Sequence, residues 1–90
     1  MFTDIPLDYP ITIDGVEVKS LKMRRPKVRD MIASTKGQSG NEAKEVKLFA
    51  NLCEVTEKDI NELDLADYKK LQDTFNDFLL SKSAPAGRPS

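Results

Sequence analysis

The residues best placed to do chemistry are the basic ones between Lys19 and Arg29, where six of eleven positions are positively charged. Such a segment could neutralise the phosphates of a nucleic acid. No aromatic residue interleaves with these cations, so the base-stacking platform typical of single-strand binding is missing. The later chain is acidic and the formal net charge is −1. The segment therefore also suits pairing with acidic residues of the same chain, of a second copy or of a partner protein.

Side chains suited to catalysis or metal binding are sparse. The chain has no histidine, which removes the commonest general base and metal ligand. Asp73 and Asp77 are four residues apart and could bind a hard cation, but they fall outside the apolar helix stripe and should remain solvated. Cys53 lies on the apolar face of a predicted helix and is expected to be a buried, inert thiol. We expect no catalytic residue, no cofactor and no metal site, and hence no enzyme.

The clearest secondary-structure element covers residues 64–82, and the whole chain is organised around it. Apolar residues recur there at intervals of three and four, the period of one helix face. Asp64 can cap the free amides of the first turn, and Asp67 places negative charge near the positive end of the helix dipole. The stripe consists of Leu65, Tyr68, Leu71, Phe75, Phe78 and Leu79. It predicts a core helix over about 65–81.

A β-hairpin is predicted over about residues 9–23. Asp14-Gly15 suits a two-residue turn, and apolar residues alternate on both sides of it. Ile13 should lie opposite Val16, which places Ile11 opposite Val18 on the same face. Residues 1–8 are expected to be an irregular lead-in, because the prolines at positions 6 and 10 discourage regular structure.

Leu21 and Met23 do not fit that hairpin register, because alternation along the strand places them on the same face as the polar residues Glu17 and Lys19. Either the second strand twists or bulges near Ser20, or both of its faces are partly buried. Pro26 marks the junction between this strand and the next helix, because proline cannot donate to a strand ladder but is tolerated in the first turn of a helix.

Three further helices are predicted before the last one. The first, 27–34, should bury Val28, Met31 and Ile32. A mobile loop over 35–41 follows, and Asn41 is the expected N-cap of a helix over 42–53. Thr56 begins a capping-box sequence for a short helix over 57–62. Strands that precede helices indicate an α+β fold with an N-terminal hairpin and three to four helices.

The chain is short enough for a single domain, which we place at residues 1–82. The proline-rich remainder, 83–90, is expected to be disordered. The start of the chain does not look like a signal peptide, and no apolar segment is long enough for a membrane span. One cysteine fits a reducing compartment. We therefore expect a soluble, cytoplasmic protein without membrane contact.

Three segments of the chain form a recognisable set. They are 10–18, which contains the Asp-Gly turn; 21–26, with Asp30 four residues beyond the proline; and 63–68, which leads through Leu71 to Phe78. Together they resemble the small tail assembly chaperones of tailed bacteriophages, the Mu-like tail protein and tail protein E family, in their order, their spacing and the short total length. The resemblance covers about residues 9–79, and Met23 stands where leucine is expected.

The resemblance implies a non-catalytic helper that binds the tape measure protein and keeps it soluble until tube subunits polymerise around it. Such proteins work in the bacterial host cytoplasm and are absent from the mature virion. In many of these phages a ribosomal frameshift appends a second domain that recruits tail tube protein.

We expect partner contacts at the strand-to-helix junction and at the outer end of the last helix. The alternative is a small nucleic-acid-binding or regulatory phage protein that uses residues 19–29, although nucleic acid is the less favoured partner. Self-association into a homo-oligomer is also expected, because basic and acidic regions are complementary. The expected partner-binding residues are Met23, Arg24, Arg25, Pro26, Asp30, Phe78 and Leu79.

Overall fold

An antiparallel hairpin followed by helices gives the α+β class that the sequence predicts. The computed structural model describes residues 2–36 and 40–80. Over these residues the elements are β1 (Phe2–Ile13), β2 (Val16–Arg24), α1 (Val28–Thr35), α2 (Asn41–Cys53), α3 (Glu57–Asn61) and α4 (Leu65–Leu80). The predicted disordered tail, 83–90, lies outside the described residues, as do the centre of the predicted mobile loop, 37–39, and the predicted last helical position, 81.

The hairpin turn forms where the Asp-Gly pair predicts it. Asp14 has φ 51° and Gly15 has φ 79°, and two positive φ values in succession are the signature of a type I′ turn. Ile13 pairs with Val16 and Ile11 pairs with Val18, which confirms the predicted register. Val16 nevertheless lies exposed beside the turn, so the shared apolar face is buried only farther from the tip.

The predicted lead-in over residues 1–8 is wrong, because β1 already begins at Phe2. Residues 2–6 pair with residues 20–24, and the ladder is interrupted only between Pro6 and Ile11. Neither Pro6 nor Pro10 has an amide to donate, so the pairing fails between them while the strand continues on both sides. This register shift lies opposite the Ser20 region, where the sequence suggests a bulge, and it brings Leu21 and Met23 to the buried face.

Helix α2 packs against β2 and helix α4 against β1, and aromatic side chains of the two helices meet. The ring of Phe49 is at the centre of this contact, 5.5 Å from the ring of Tyr68 and 5.6 Å from that of Phe75. Tilted aromatic pairs at this distance add to the energy of burial. The buried hydrophobic residues are Ile5, Leu7, Ile11, Leu21, Met23, Phe49, Ala50, Leu52, Cys53, Ile60 and Leu71.

Helix α1 forms, but its predicted orientation is wrong. Val28, Met31 and Ile32 are 70%, 58% and 51% exposed instead of buried. The residues that face inward are Asp30 and Ser34. A polar contact, described with the candidate site below, therefore decides which side of this helix meets the protein.

The starts of the other helices follow local capping chemistry. Thr56 accepts a hydrogen bond from the amide of Asp59, and the Asp59 carboxylate accepts one from the amide of Thr56, both at 3.1 Å. This confirms the predicted capping box. Asp64 caps α4 by accepting a bond from the amide of Ala66 at 2.9 Å. Asn41 is the first residue of α2 and not its N-cap, since Gly40 occupies that position with φ 89°.

Asp67 fastens α4 to the interrupted part of β1. Its side chain is fully buried, and its two oxygens accept hydrogen bonds from the amides of Asp8 at 2.9 Å and Tyr9 at 3.0 Å. Both amides lie in the stretch between Pro6 and Ile11 where the ladder is interrupted. Lys70 adds a cation 3.4 Å from Asp67 and 3.1 Å from Asp8, and it donates to the carbonyl of Pro6 at 3.0 Å.

The balance of these contacts sets the ionisation of Asp67. Burial by itself would raise the pKa of this carboxyl, but the two amide donors and Lys70 outweigh it, so the pKa lies below its ordinary value of 3.8. Asp67 therefore remains charged at neutral pH and acts as a buried acceptor for backbone amides.

Replacing Asp67 with Asn should destabilise the protein by about 1.5–3 kcal/mol, because the neutral amide cannot accept from both backbone donors and loses the attraction to Lys70. Urea unfolding measures the difference. The matched control is Asp73→Asn on the same helix, where the carboxylate is 62% exposed. This control should change the free energy of unfolding by no more than about 0.5 kcal/mol.

The Asp67 variant also has a pH signature. The folded-state pKa of Asp67 is lowered, so its stabilising effect is fully present above the unfolded value of 3.8 and is lost as the pH falls through the folded value. The gap in unfolding free energy between wild type and Asp67→Asn should therefore narrow as the pH drops below about 4. A gap that stays constant on acidification would contradict the assigned role of this carboxylate.

Candidate functional site

The candidate site is the junction between β2 and α1 together with the C-terminal end of α4. We call it the junction surface and define it by Arg24, Arg25, Pro26, Asp30, Phe78, Leu79 and Leu80. Pro26 breaks the strand because it has no amide to donate. The chain remains extended at Lys27, with φ −123° and ψ 163°, and turns into α1 at Val28.

Arg24 and Asp30 form a two-pronged ion pair across the junction. Nη1 of Arg24 donates to Oδ2 of Asp30 at 2.9 Å, and Nη2 donates to Oδ1 at 2.8 Å. Oδ2 also accepts the amide of Lys27 at 2.8 Å, so the carboxylate caps the first turn of α1. The Asp30 side chain is 6% exposed and that of Arg24 is 24% exposed. Parallel guanidinium–carboxylate bonds fix both distance and orientation.

The pair explains why α1 presents its polar side to the protein. Hydrogen bonding to Arg24 is the main cause that lowers the pKa of Asp30; burial opposes it, and the Lys27 amide reinforces it. The same hydrogen bond raises the pKa of Arg24. Both groups therefore stay charged. Turning the apolar side of α1 inward would separate this partly buried pair, which costs more than an exposed pair would.

Arg25 connects the junction to the far end of the chain. Its guanidinium carbon lies 5.9 Å from the centre of the Phe78 ring, within the range of a cation–π contact. The end of α4 is thereby placed beside the connection between β2 and α1. Leu79 and Leu80 follow Phe78 and are 62% and 77% exposed.

The structure brings most of the sequence-predicted partner residues to one place. Arg24 and Asp30 pair with each other, and Arg25 and Phe78 are in contact. Pro26 is half-buried and Leu79 is exposed at the same end. Met23 is fully buried, so it supports the junction from the core.

Sequence reasoning missed Leu80, since this residue lies outside the apolar stripe of α4. The signal that could have found it is the unbroken Phe-Leu-Leu run at positions 78–80. A helix end with three consecutive apolar residues cannot turn all of them toward one core.

The other residues considered for catalysis or metal binding, Asp73 and Cys53, make only local contacts. Asp73 pairs with Lys69 at 3.2 Å on the exposed side of α4. Cys53 is buried, and burial raises the pKa of its thiol to about 12. Within residues 2–36 and 40–80, no three side chains of the metal-ligating types come together as a metal site would require. None of the helices in this part of the chain has the length and hydropathy of a membrane span.

The basic segment is partly committed to internal contacts. Arg24 is bonded to Asp30, and its Nε lies 4.0 Å from Glu54, so a phosphate would have to displace a carboxylate to bind it. Lys19 and Lys22 remain exposed on β2. These contacts favour a structural role for part of the segment over phosphate binding along its whole length.

A small α+β protein that presents apolar side chains next to basic ones is suited to bind other polypeptides. The family model described as phage tail assembly chaperone proteins, E, or 41 or 14, matches residues 4–80. The chain therefore belongs to this family of phage tail assembly chaperones, and the resemblance seen in the sequence is confirmed. Comparison with curated proteins and with solved structures finds no match.

A double-mutant cycle should measure the strength of the Arg24–Asp30 pair. We expect Arg24→Ala and Asp30→Ala to be coupled by about 1.5–3 kcal/mol in the free energy of unfolding, as for a charged hydrogen bond with little solvent exposure. The matched control is the exposed pair Lys69 and Asp73, which should couple by about 0.3–0.5 kcal/mol. If both cycles give equally small values, the pair does not set the orientation of α1.

Proposed function

We propose that this chaperone binds the tape measure protein of its phage and keeps it soluble while the tail is built. In this proposal residues 1–82 act as one non-catalytic domain in the host cytoplasm, and the protein is absent from the mature virion. A form lengthened by ribosomal frameshifting would bring tail tube protein to the same complex. Membership of the tail assembly chaperone family supports the general role.

The observation that carries the proposal is the exposed apolar end of α4. Leu79 and Leu80 are largely exposed, whereas Phe78 is half-buried one turn beyond Phe75, which packs against the core. Exposed leucines side by side at a helix end are suited to contact the apolar stripe of another helix. Covering a leucine side chain stabilises a complex by about 1.5–3 kcal/mol, so two leucines could anchor a partner helix.

The basic residues of the junction surface restrict how a partner helix can lie on the two leucines. Arg25 lies over the face of Phe78, so it remains next to any helix that covers the two leucines. A surface that binds a helix usually has apolar residues at its centre and charged residues around its rim. The partner segment is therefore expected to place its apolar stripe next to the Phe78 ring and the Arg25 side chain.

The Arg24–Asp30 ion pair of the junction surface has a positioning role. Arg24 and Asp30 hold the start of α1 against the end of β2, which leaves Arg25 and Pro26 between two fixed points. A surface that is rigid before binding loses less conformational entropy on binding. Met23 supports the same segment from the core.

Exchanging Leu79 and Leu80 together for Asp should weaken tape measure binding by at least about a hundredfold, since two buried leucine contacts are lost. The measurement is co-expression with the tape measure protein, with the soluble fraction and the co-purified amount as readouts. Leu65→Asp is the matched control, because Leu65 is on the same helix, is 80% exposed and lies at the opposite end.

The control variant should keep the tape measure protein soluble as well as wild type does. If wild type itself neither raises its solubility nor co-purifies with it, the proposed function is wrong. If Leu65→Asp reduces binding as much as the Leu79/Leu80 change, the binding surface is wrongly placed.

A further inference from the structure

The outer edge of β1, which faces away from β2, has backbone groups that the hairpin does not use. Pairs in an antiparallel ladder alternate between those that exchange hydrogen bonds and those that do not. Ile13 and Val16 flank the two-residue turn and form a bonded pair, and Thr12 pairs with Glu17 next to them. The Thr12 pair is therefore of the second kind, so the N–H and C=O groups of Thr12 point away from β2.

The part of this edge before Thr12 is already occupied. Asp67 and Lys70 of α4 bond to the backbone of β1 at residues 6, 8 and 9, and Pro10 has no amide to donate. Thr12 is exposed, and within the described residues no hydrogen bond joins its backbone to a helix or a loop. An added strand could therefore pair only with the short stretch between Pro10 and the turn.

A cavity of about 400 Å³ lies beside this stretch, between β1 and α3. Its volume is in the range of about 300–1,000 Å³ that is typical of ligand sites. Ile11 is buried at its floor, whereas Lys58 and Glu62 are exposed at its α3 side. We call Thr12 and this cavity the edge site, which is lined by Pro10, Ile11, Thr12, Lys58 and Glu62.

The charges of the edge site have a spacing that suits an extended chain. Lys58 lies in α3 and Glu62 is its C-cap, so four residues separate them by about 6 Å along the helix axis. Neither side chain belongs to an ion pair within residues 2–36 and 40–80. Side chains on one face of a strand are about 6.6 Å apart, so an acidic and a basic residue two positions apart would match Lys58 and Glu62.

We infer that an extended segment of a partner polypeptide adds to β1 at Thr12 and fills the cavity between β1 and α3. The N–H and C=O groups of Thr12 bond to the backbone of this segment, as in other cases of strand addition. The segment carries an acidic residue facing Lys58 and a basic residue facing Glu62. The edge site shares no residue with the junction surface, so the inference goes beyond the proposed tape measure contact.

Two synthetic peptides with capped termini are the probes: Thr-Val-Glu-Val-Lys-Val-Thr, and the same sequence with Glu and Lys exchanged. Both are needed because a strand can add in either direction. NMR titration of the ¹⁵N-labelled full-length chain should show shifts at the amides of Thr12, Lys58 and Glu62 with at least one peptide. The Thr12 amide should exchange rapidly in the free chain and slowly in the complex, whereas a peptide with proline at its central valine should not bind.

Proline variants test the backbone contact. Thr12→Pro removes the outward N–H without removing a bond to β2, so it should weaken peptide binding at least about tenfold. Glu17→Pro is the matched control, because it makes the same change in the same pair on the outer edge of β2, and it should bind the peptides as wild type does. Thr12→Val retains the N–H and should also bind. Urea unfolding of both proline variants checks that they are folded.

A charge-swap variant tests the side-chain contacts and does not depend on the stability of the proline variants. Lys58→Glu combined with Glu62→Lys reverses the order of charges along α3. The variant should therefore prefer the peptide that wild type binds more weakly. A role of these two residues in folding alone would not reverse the preference between peptides.

The inference is overturned if neither peptide shifts these amides at millimolar concentrations, or if the Thr12 amide is already protected in the free chain. Equal binding by Thr12→Pro and Glu17→Pro would also overturn it, as would an unchanged peptide preference in the charge-swap variant. Self-association of the chain that only Thr12→Pro abolishes would assign the edge to a second copy instead. The titration contains no tape measure protein, and Leu79→Asp should bind the peptides normally, so its failure is independent of the proposed function.

Discussion

The buried carboxylate of Asp67 is the contact on which the arrangement of strands and helices depends. Two prolines interrupt the pairing of β1, and the amides of Asp8 and Tyr9 between them have no ladder partner. A backbone amide that loses its hydrogen-bond partner on folding costs free energy. A single ionised side chain on α4 accepts both of them, so the defect in the strand becomes the point where the last helix is attached. Apolar packing alone would hold these elements together without fixing their register.

A second carboxylate, that of Asp30, likewise attaches a helix to the hairpin, here α1 to the end of β2. It joins the guanidinium of Arg24 to the first turn of α1 and turns the polar side of that helix inward. The apolar side is left in solvent, where burial would otherwise have been favourable. A helix that exposes its apolar side and buries its polar side is expected where a protein binds a partner. Asp67 thus fixes α4 on β1, and Asp30 fixes α1 with its apolar residues Val28, Met31 and Ile32 exposed.

The hairpin turn, its register, the α3 capping box and the core helix were all predictable, because each depends on residues close together in sequence. The beginning of β1 could not be predicted, because Pro6 and Pro10 disfavour a strand. The bonds from Asp67 and Lys70 to the interrupted part of β1 come from a distant helix. The orientation of α1 depended on one side-chain pair that outweighs its apolar pattern. The predicted junction residues lie together, but the contact of Arg25 with Phe78 joins distant parts of the chain and leaves no local signal.

Amide hydrogen exchange of Asp8 and Tyr9, followed by NMR on the ¹⁵N-labelled chain, tests the attachment of β1 to α4 most directly. The side chains of both residues are exposed, so without the Asp67 carboxylate their amides would exchange rapidly. The account predicts that these two amides exchange as slowly as the amide of Leu71 in the core, through global unfolding. Rapid exchange at Asp8 and Tyr9 while Leu71 stays protected would show that the buried carboxylate does not hold the strand.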